Sequence, residues 1–182
     1  MIVFESPGKQ NTEAAVKIAL EEAQKRGIEH IVAASSSGYT ADFFRNAKGF
    51  NIVIVRGTYG YRNPDGSPMS DEKYQELVNC GMKIVTAAHC LSGAERSLSA
   101  SFSGTYPAEI MSHTLRMFGQ GAKVCVECAA MACDCGAVPT GTPIISVGGA
   151  NNGADTVFVM KASYTHRILE TKICEVLCKP TL

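Results

Sequence analysis

Short apolar segments of strand type alternate with amphipathic, helix-type segments along this 182-residue chain, and the alternation constrains its fold more than any other feature. The predicted strands 31–34 and 51–55 are almost entirely apolar, as strands covered on both faces of a parallel sheet are. The segments 143–147 and 156–160 lie so close together that they predict an antiparallel hairpin. The whole pattern predicts one α/β domain over residues 1–182, a three-layer sandwich. Its sheet is mostly parallel, with helices on both faces and an antiparallel strand at an edge. Further strands are predicted at 2–4 and 83–87, and a strand or short helix at 168–178.

Five of the predicted strands run into polar stretches rich in Gly, Ser or Asn. The carboxyl ends of parallel strands meet at one edge of a sheet, and ligands of such sheets bind beyond that edge. We therefore expect a small-molecule pocket there. The five stretches are residues 5–12, 35–40, 57–68, 88–97 and 148–153.

The stretch that follows the second strand is the best candidate for binding an anion. Its hydroxyl groups and the backbone N–H groups of a turn that opens a helix all favour a phosphate, and Gly38 brings no Cβ into the turn. The alternative is an ordinary βα turn with a serine cap. The candidate contacts are Ser35, Ser36, Ser37, Gly38, Tyr39 and Thr40.

Three further loops supply candidate contacts to the rest of such a ligand. After the third strand, Gly57, Thr58, Tyr59 and Gly60 allow close backbone approach, and Tyr59 and Tyr61 are candidates to stack on a flat ring. The alternative is a surface loop whose aromatic rings pack on the body of the protein. The other candidates are His89, Ser92 and Arg96 after the fourth strand, and Gly148, Gly149, Asn151 and Asn152 after the fifth.

Two of these loops admit more than one interpretation. His89 is a candidate proton donor or acceptor, and hence a candidate catalytic residue, or a hydrogen-bonding partner of a ligand ring. Glu95 either assists it, pairs with Arg96 or caps a helix. The Gly-Asn loop at 148–153 either binds a ligand or serves only as a hairpin turn.

The balance of charged residues and the cysteine content limit which partners, compartment and metal sites the sequence predicts. Acidic and basic residues balance at 17 each with no basic tract, which makes nucleic acid and anionic membranes poor partners. Without a signal-peptide pattern or an apolar run of membrane-spanning length, we expect a cytoplasmic protein with reduced thiols. Cys125, Cys128, Cys133 and Cys135 fall on one predicted helix, which favours small packing residues over a metal site. For Cys174 and Cys178, a disulfide or a shared metal stays open.

Four groups of residues together carry a family resemblance. They are Pro7-Gly8-Lys9 with Asn11-Thr12, Ser36-Ser37-Gly38-Tyr39-Thr40, Leu91-Ser92-Gly93 with Glu95-Arg96-Ser97, and Gly148-Gly149 with Gly153-Ala154-Asp155-Thr156. The stretch from Ile31 to Val55 resembles the C-terminal α/β domain of pyruvate kinase. Over nearly its full length the chain is similar to a stand-alone archaeal and bacterial family of pyruvate kinase α/β-domain-like proteins.

The resemblance implies that the chain binds flavin mononucleotide (FMN), with its phosphate at the serine-rich turn, and a similar phosphate-bearing ligand is the alternative. No part of the chain matches the metal and phosphoenolpyruvate ligands of the pyruvate kinase barrel, so pyruvate kinase activity is not implied. A flavin-dependent redox role is one reading. The alternatives are a regulatory module that senses a phosphometabolite without turnover, and an acid–base enzyme on a sugar phosphate that uses His89 and Glu95. Related domains form subunit contacts, so the resemblance also allows a homo-oligomer.

Overall fold

The computed structural model describes residues 1–60 and 66–182. Within them the chain forms a seven-stranded sheet and six α-helices. The strands are β1 (Ile2–Phe4), β2 (His30–Ala34), β3 (Asn51–Val55), β4 (Lys83–Val85), β5 (Pro143–Gly148), β6 (Thr156–Lys161) and β7 (Lys172–Pro180). The helices are α1 (Thr12–Arg26), α2 (Tyr39–Asp42), α3 (Asp71–Asn79), α4 (Gly93–Phe102), α5 (Pro107–Arg116) and α6 (Gln120–Asp134).

The strand order is β1-β7-β6-β5-β2-β3-β4, and the predicted mostly parallel sheet is confirmed. The predicted hairpin is also confirmed, because β5 and β6 pair antiparallel over their whole length. The antiparallel strand does not lie at an edge, however. β6 also pairs antiparallel with β7, and β1 then adds parallel to β7. The chain tail is therefore a strand that continues the sheet past β6, which leaves β6 in the interior.

Both faces of the sheet are covered by helices. In β2, Ile31 and Ala33 pack into a cluster with α1, whereas Val32 packs into a second cluster with α6. This alternation is the period-two pattern of a strand, and here both faces of the strand are buried. The two clusters are the cores of the predicted three-layer sandwich.

Local sequence signals mark one end each of α1 and α3. Gly27, at φ 64°, ends α1 in the left-handed conformation, and Ser70 caps α3 by accepting the Lys73 N–H at 3.2 Å. The turn after β2 opens a helix, as predicted, and this helix is the short α2. The predicted helix that carries Cys125 and Cys128 is α6, which begins at Gln120 directly after Gly119 at φ 110°. Within the described part of the chain, no helix is long and apolar enough to cross a membrane.

Candidate functional site

A cavity of about 480 Å³ opens at the carboxyl ends of β2, β3 and β5. Its volume lies within the range of small-molecule sites, roughly 300–1,000 Å³. Four of the five predicted strand-end loops line it, and the first turns of α6 and the end of α5 complete it. The described lining residues are Ala34, Ser35, Ser36, Ser37, Thr40, Val55, Arg56, Gly57, Thr58, Pro68, His89, Arg96, Arg116, Gln120, Lys123, Val124, Glu127, Cys128, Gly149, Ala150, Asn151, Asn152 and Gly153.

The serine-rich turn forms one wall of the cavity, which we call the serine wall (residues 35–40). Ser36 is half-buried and Ser37 is exposed at the cavity, whereas Thr40 is buried. The Ser35 hydroxyl accepts the Ala41 N–H at 3.2 Å and so holds the start of α2, as in the capped-turn alternative. Gly38, at φ 93°, provides the bend before α2.

The predicted tyrosines are not among the described lining residues. The ring of Tyr39 lies under the Lys9 ammonium at 3.9 Å and packs edge-on against Phe43. Tyr59 is 55% exposed, and its hydroxyl accepts a hydrogen bond from Arg56 at 3.1 Å. Gly57 and Thr58 line the cavity, Gly60 does not, and Tyr61 lies outside the described residues.

Arg56, a residue that the sequence analysis missed, is the most unusual polar group of the lining. It is only 7% exposed, its Nε donates to Thr86 Oγ1 at 2.7 Å, and its guanidinium lies 4.7 Å from the centre of the Tyr74 ring. Its buried Nη1 has no hydrogen-bond partner among residues 1–60 and 66–182. Buried polar groups are nearly always satisfied, so this donor calls for an acceptor from a ligand or solvent. The sequence signal was an arginine directly after the apolar predicted strand 51–55.

A buried charge cluster forms the opposite wall, which we call the charged wall (His89, Lys123 and Glu127). Glu127 is 1% exposed, and its Oε2 lies 3.1 Å from His89 Nδ1 and accepts a short hydrogen bond from the Lys123 ammonium. Its Oε1 accepts the Leu91 N–H at 3.1 Å. Lys123 and Glu127 are one helical turn apart on α6, and the cluster escaped detection because His89 is 38 residues away in sequence.

The electrostatics of the charged wall keep Glu127 ionised. Burial alone would raise the pKa of its carboxyl, but the hydrogen bond with His89 and the charge of Lys123 outweigh burial and lower the pKa to about 2. The described lining then carries four cations, Arg56, Arg96, Arg116 and Lys123, against this single carboxylate. The described lining therefore has a net positive charge although the chain as a whole is neutral.

Glu95 and Ser92 are not among the described lining residues. Glu95 Oε2 accepts the N–H groups of Ala108 and Glu109 at 2.9 and 3.3 Å, so it caps the start of α5. Ser92 lies just before the first residue of α4, and its carbonyl accepts the Arg96 N–H. The carboxylate beside His89 is thus Glu127, and the capping interpretation of Glu95 describes its contacts.

The β5–β6 loop lines the cavity with Gly149, Asn151 and Asn152, and both asparagines have positive φ. Buried Asp155 fixes this loop by accepting the N–H groups of Ala150 and Gly8. The segment around Gly8 therefore supports the cavity loop from behind rather than lining the cavity.

Close packing places α6 against the sheet. A Cβ at Gly148 would lie 2.5 Å from the Gly121 carbonyl oxygen, so Gly148 permits the helix to approach and lies behind the cavity lining. A Cβ at Gly121 would lie 2.1 Å from Thr156 Oγ1. The absence of both side chains lets Lys123 and Glu127 reach the cavity from α6.

The helix cysteines serve mainly as core residues. Cys125, Cys128 and Cys133 are buried on α6 in the second cluster, and Cys135 is exposed. Burial raises the pKa of Cys128, which lines the cavity, and so keeps its thiol protonated. Cys174 and Cys178 lie on β7, and both are free thiols.

Comparison with known proteins places this α/β fold in a family. The pyruvate kinase alpha/beta domain family matches residues 13–160. The chain belongs to this family, as the resemblance in its sequence predicted.

Several solved structures are also similar to this chain, all with low sequence identity and low TM-scores. A pyruvate kinase from Cryptosporidium parvum has 12% identity and a TM-score of 0.41, with 84% of this chain matched to 23% of that chain. A second Cryptosporidium parvum pyruvate kinase structure has 13% identity and a TM-score of 0.36, over 81% and 22% of the two chains. A hydrogen sulfide-producing enzyme from Fusobacterium nucleatum has 21% identity and a TM-score of 0.31, over 50% and 30%. The present chain thus spans less than a quarter of the pyruvate kinases it matches.

Proposed function

We propose that this protein binds a phosphate-bearing small molecule, FMN, in the cavity between the serine wall and the charged wall, and that it does so in the cytoplasm. The phosphate lies at the serine wall, and the reaction of pyruvate kinase is not part of the proposal. The observation that carries the proposal is Arg56, a buried guanidinium at the cavity whose Nη1 has no partner among the described residues.

The charge of the cavity supports an anionic ligand. Four cations face one carboxylate among the described lining residues, and such an excess attracts a dianion such as a phosphate monoester. Arg56 adds planar donors that suit phosphate oxygens, and the turn before α2 adds hydroxyl groups and backbone N–H groups. These groups come from neighbouring strands, because β2 and β3 pair in parallel register up to Ala34 and Val55.

The cavity also has room and apolar surface for a ring system. Its volume of about 480 Å³ falls in the range of cofactor sites, and Ala34, Val55 and Val124 are apolar lining residues. A flavin would supply redox chemistry when bound, and the protein would bind and orient it. The tyrosine stacking expected from the sequence has no counterpart in the described lining.

Titration with FMN, with riboflavin as the matched ligand that lacks the phosphate, tests the proposal directly. We expect FMN to bind at least about 100-fold more tightly, because charge-assisted hydrogen bonds each contribute roughly 1.5–3 kcal/mol. Equal affinities for both ligands would place the phosphate outside the serine wall. No uptake of FMN, together with tight binding of a different phosphometabolite, would favour the regulatory module.

Substitutions in the serine wall locate the phosphate. Ser37→Asp places a negative charge at an exposed cavity residue, and we expect FMN affinity to fall by more than tenfold through repulsion. Ser101→Asp, at an exposed residue of α4 outside the described lining, is the control for added charge and leaves affinity unchanged. Thr40 is unsuitable for the same change, because it is 2% exposed and a buried aspartate would disturb the fold.

A further inference from the structure

A lysine of α3 lies directly against the backbone bend of the serine wall. A Cβ at Gly38 would lie 2.7 Å from Lys73 Cγ and 2.8 Å from Lys73 Cδ, so the lysine stem occupies the space that a side chain at residue 38 would need. Gly38 has φ 93° and comes directly before α2. Lys73 is not among the described lining residues, so it supports the serine wall from outside the cavity lining.

The Lys73 ammonium belongs to a closed set of four charges that joins α2 to α3, which we call the ionic ring (Asp42, Arg45, Lys73 and Glu76). Lys73 Nζ lies 3.2 Å from Asp42 Oδ1 and 3.1 Å from Glu76 Oε2. Arg45 closes the ring, with Nε 2.6 Å from Asp42 Oδ1 and Nη2 2.6 Å from Glu76 Oε2. Isolated exposed ion pairs contribute little to stability, but several charges that form a network can hold their members in one arrangement.

The ionic ring joins a very short helix to a well-anchored one. α2 has only four residues, and a single helical turn has little stability of its own. Ala41 fixes the apolar side of α2 in the first core cluster, and the ionic ring holds its polar side. α3 is anchored independently, because Leu77 is buried in the same cluster and Ser70 caps the first turn. The ring therefore ties the opening of α2 to a helix whose position is already fixed.

We infer that Lys73 and Asp42 are positioning residues for the phosphate: the Lys73 stem lies against Gly38, its ammonium holds Asp42 of α2, and the turn at residues 35–38 is thereby kept in the shape that receives a phosphate. The inference rests on the proposed function, which places the phosphate at the serine wall. When the ionic ring is broken, the turn samples other shapes. Affinity then falls in proportion to the fraction of the protein that keeps the binding shape.

Asp42→Asn separates positioning from simple attraction between charges. The change removes a negative charge near the proposed phosphate position, so electrostatics alone would make FMN bind more tightly. Loss of positioning has the opposite sign. We expect the ratio of FMN affinity to riboflavin affinity to fall about threefold to tenfold, since riboflavin has no phosphate to be placed. Titrations followed by flavin fluorescence give both affinities, and the Asp42 side chain is 37% exposed, so the change leaves no buried charge unpaired.

Lys73→Met tests the other side of the same contact. Methionine keeps most of the stem beside Gly38 and removes the ammonium, and we expect a similar fall in the affinity ratio. If both residues act through one ring, the double change Asp42→Asn with Lys73→Met lowers the ratio no more than either single change. Losses that add in the double variant would overturn the shared role. Lys17→Met is the matched control, because Lys17 pairs with Glu21 at 3.8 Å on the exposed side of α1, outside the described lining, and the ratio should stay unchanged.

The outcomes separate the two proposals. A preference for FMN over riboflavin that is unchanged or larger in Asp42→Asn overturns the positioning role and leaves the proposed function intact. Equal losses of FMN and riboflavin affinity in both single variants would show a purely structural effect and overturn the role as well. Wild-type protein that binds no FMN, or binds it no more tightly than riboflavin, overturns both proposals.

Discussion

The two walls of the cavity face the same space but are built in opposite ways. The serine wall is a continuous stretch of mostly small residues with a backbone bend at Gly38, and Ser37 is exposed. The charged wall joins residues 89, 123 and 127, and its carboxylate is almost completely buried. One wall is thus set by local backbone geometry, whereas the other depends on mutual neutralisation of buried charges.

This difference predicts that the walls respond differently to the loss of a side chain. A hydroxyl group at the edge of a cavity is readily replaced by water, so its loss changes binding more than stability. A buried charge that loses its partner retains its full desolvation cost. We therefore expect the charged wall to dominate folding stability and the serine wall to dominate ligand affinity.

The largest expected effect comes from Glu127→Ala. This change leaves the Lys123 ammonium, whose side chain is 7% exposed, without its carboxylate, and leaves the Leu91 N–H without its acceptor. Loss of one partner of a buried ion pair costs roughly 3–5 kcal/mol in the free energy of unfolding. Urea denaturation followed by circular dichroism measures this loss.

Two controls show whether charge is the cause. Ser36→Ala on the opposite wall should change stability by less than about 0.5 kcal/mol. The double change Lys123→Met with Glu127→Leu removes both charges and should regain most of the lost stability. If Glu127→Ala cost no more than Ser36→Ala, the proposed contrast between the walls would be wrong.

Lowering the pH should weaken the charged wall without any substitution, and so test the same difference between the two walls. The pKa of Glu127 is lowered to about 2 from an ordinary value of 4.5. Its contribution to stability is therefore fully present above pH 4.5 and is lost as the pH falls toward 2. The shift corresponds to about 3 kcal/mol, since one pKa unit is about 1.4 kcal/mol.

The acid experiment compares unfolding free energies at pH 5 and pH 2.5 in wild type and in Glu127→Gln. The other carboxylates titrate in both proteins, so the difference between their slopes reports on Glu127. A wild-type slope no steeper than that of the variant would show that the ion pair does not stabilise the native state.

Much of the fold could be read from the sequence because its signals are local. The apolar segment 51–55 and the cap at Ser70 correspond directly to β3 and to the start of α3. The interior position of β6 was not accessible in this way, since it depends on pairing with β7 and β1 from the two ends of the chain. Long-range pairing leaves little trace in a single sequence.

The residues of the site also fall into two groups, those that local sequence signals predict and those that long-range packing brings to the cavity. Ser36, Ser37, Gly57 and His89 follow strands, so their meeting at one edge could be predicted. Glu127 resembles an ordinary polar residue of an amphipathic helix until α6 packs against the sheet and brings it to His89. Tyr39 was predicted to contact the phosphate because it belongs to the serine-rich turn, whereas its ring packs with Lys9 and Phe43.

A substitution in the backbone bend of the serine wall should have a smaller effect on stability than Glu127→Ala. Gly38 has φ 93°, and a Cβ there would lie 2.7 Å from Lys73 Cγ. Gly38→Ala should therefore cost about 1–2 kcal/mol from the left-handed backbone alone, and the flexible Lys73 side chain has to shift as well. Thermal denaturation measures the cost, and FMN titration measures the effect on the backbone donors of the turn.

Gly49→Ala is the control that separates the effect of backbone strain from the effect of the steric clash with Lys73. Gly49 has a similar φ of 83°, and no atom of the described residues lies within 4 Å of its added Cβ. Both changes should lower stability by comparable backbone terms, but only Gly38→Ala should also weaken FMN binding, because only this glycine shapes the proposed phosphate turn. Equal FMN affinity in the two variants would show that the turn accepts a distorted backbone. The distinction between a wall that governs affinity and a wall that governs stability would then have to be abandoned.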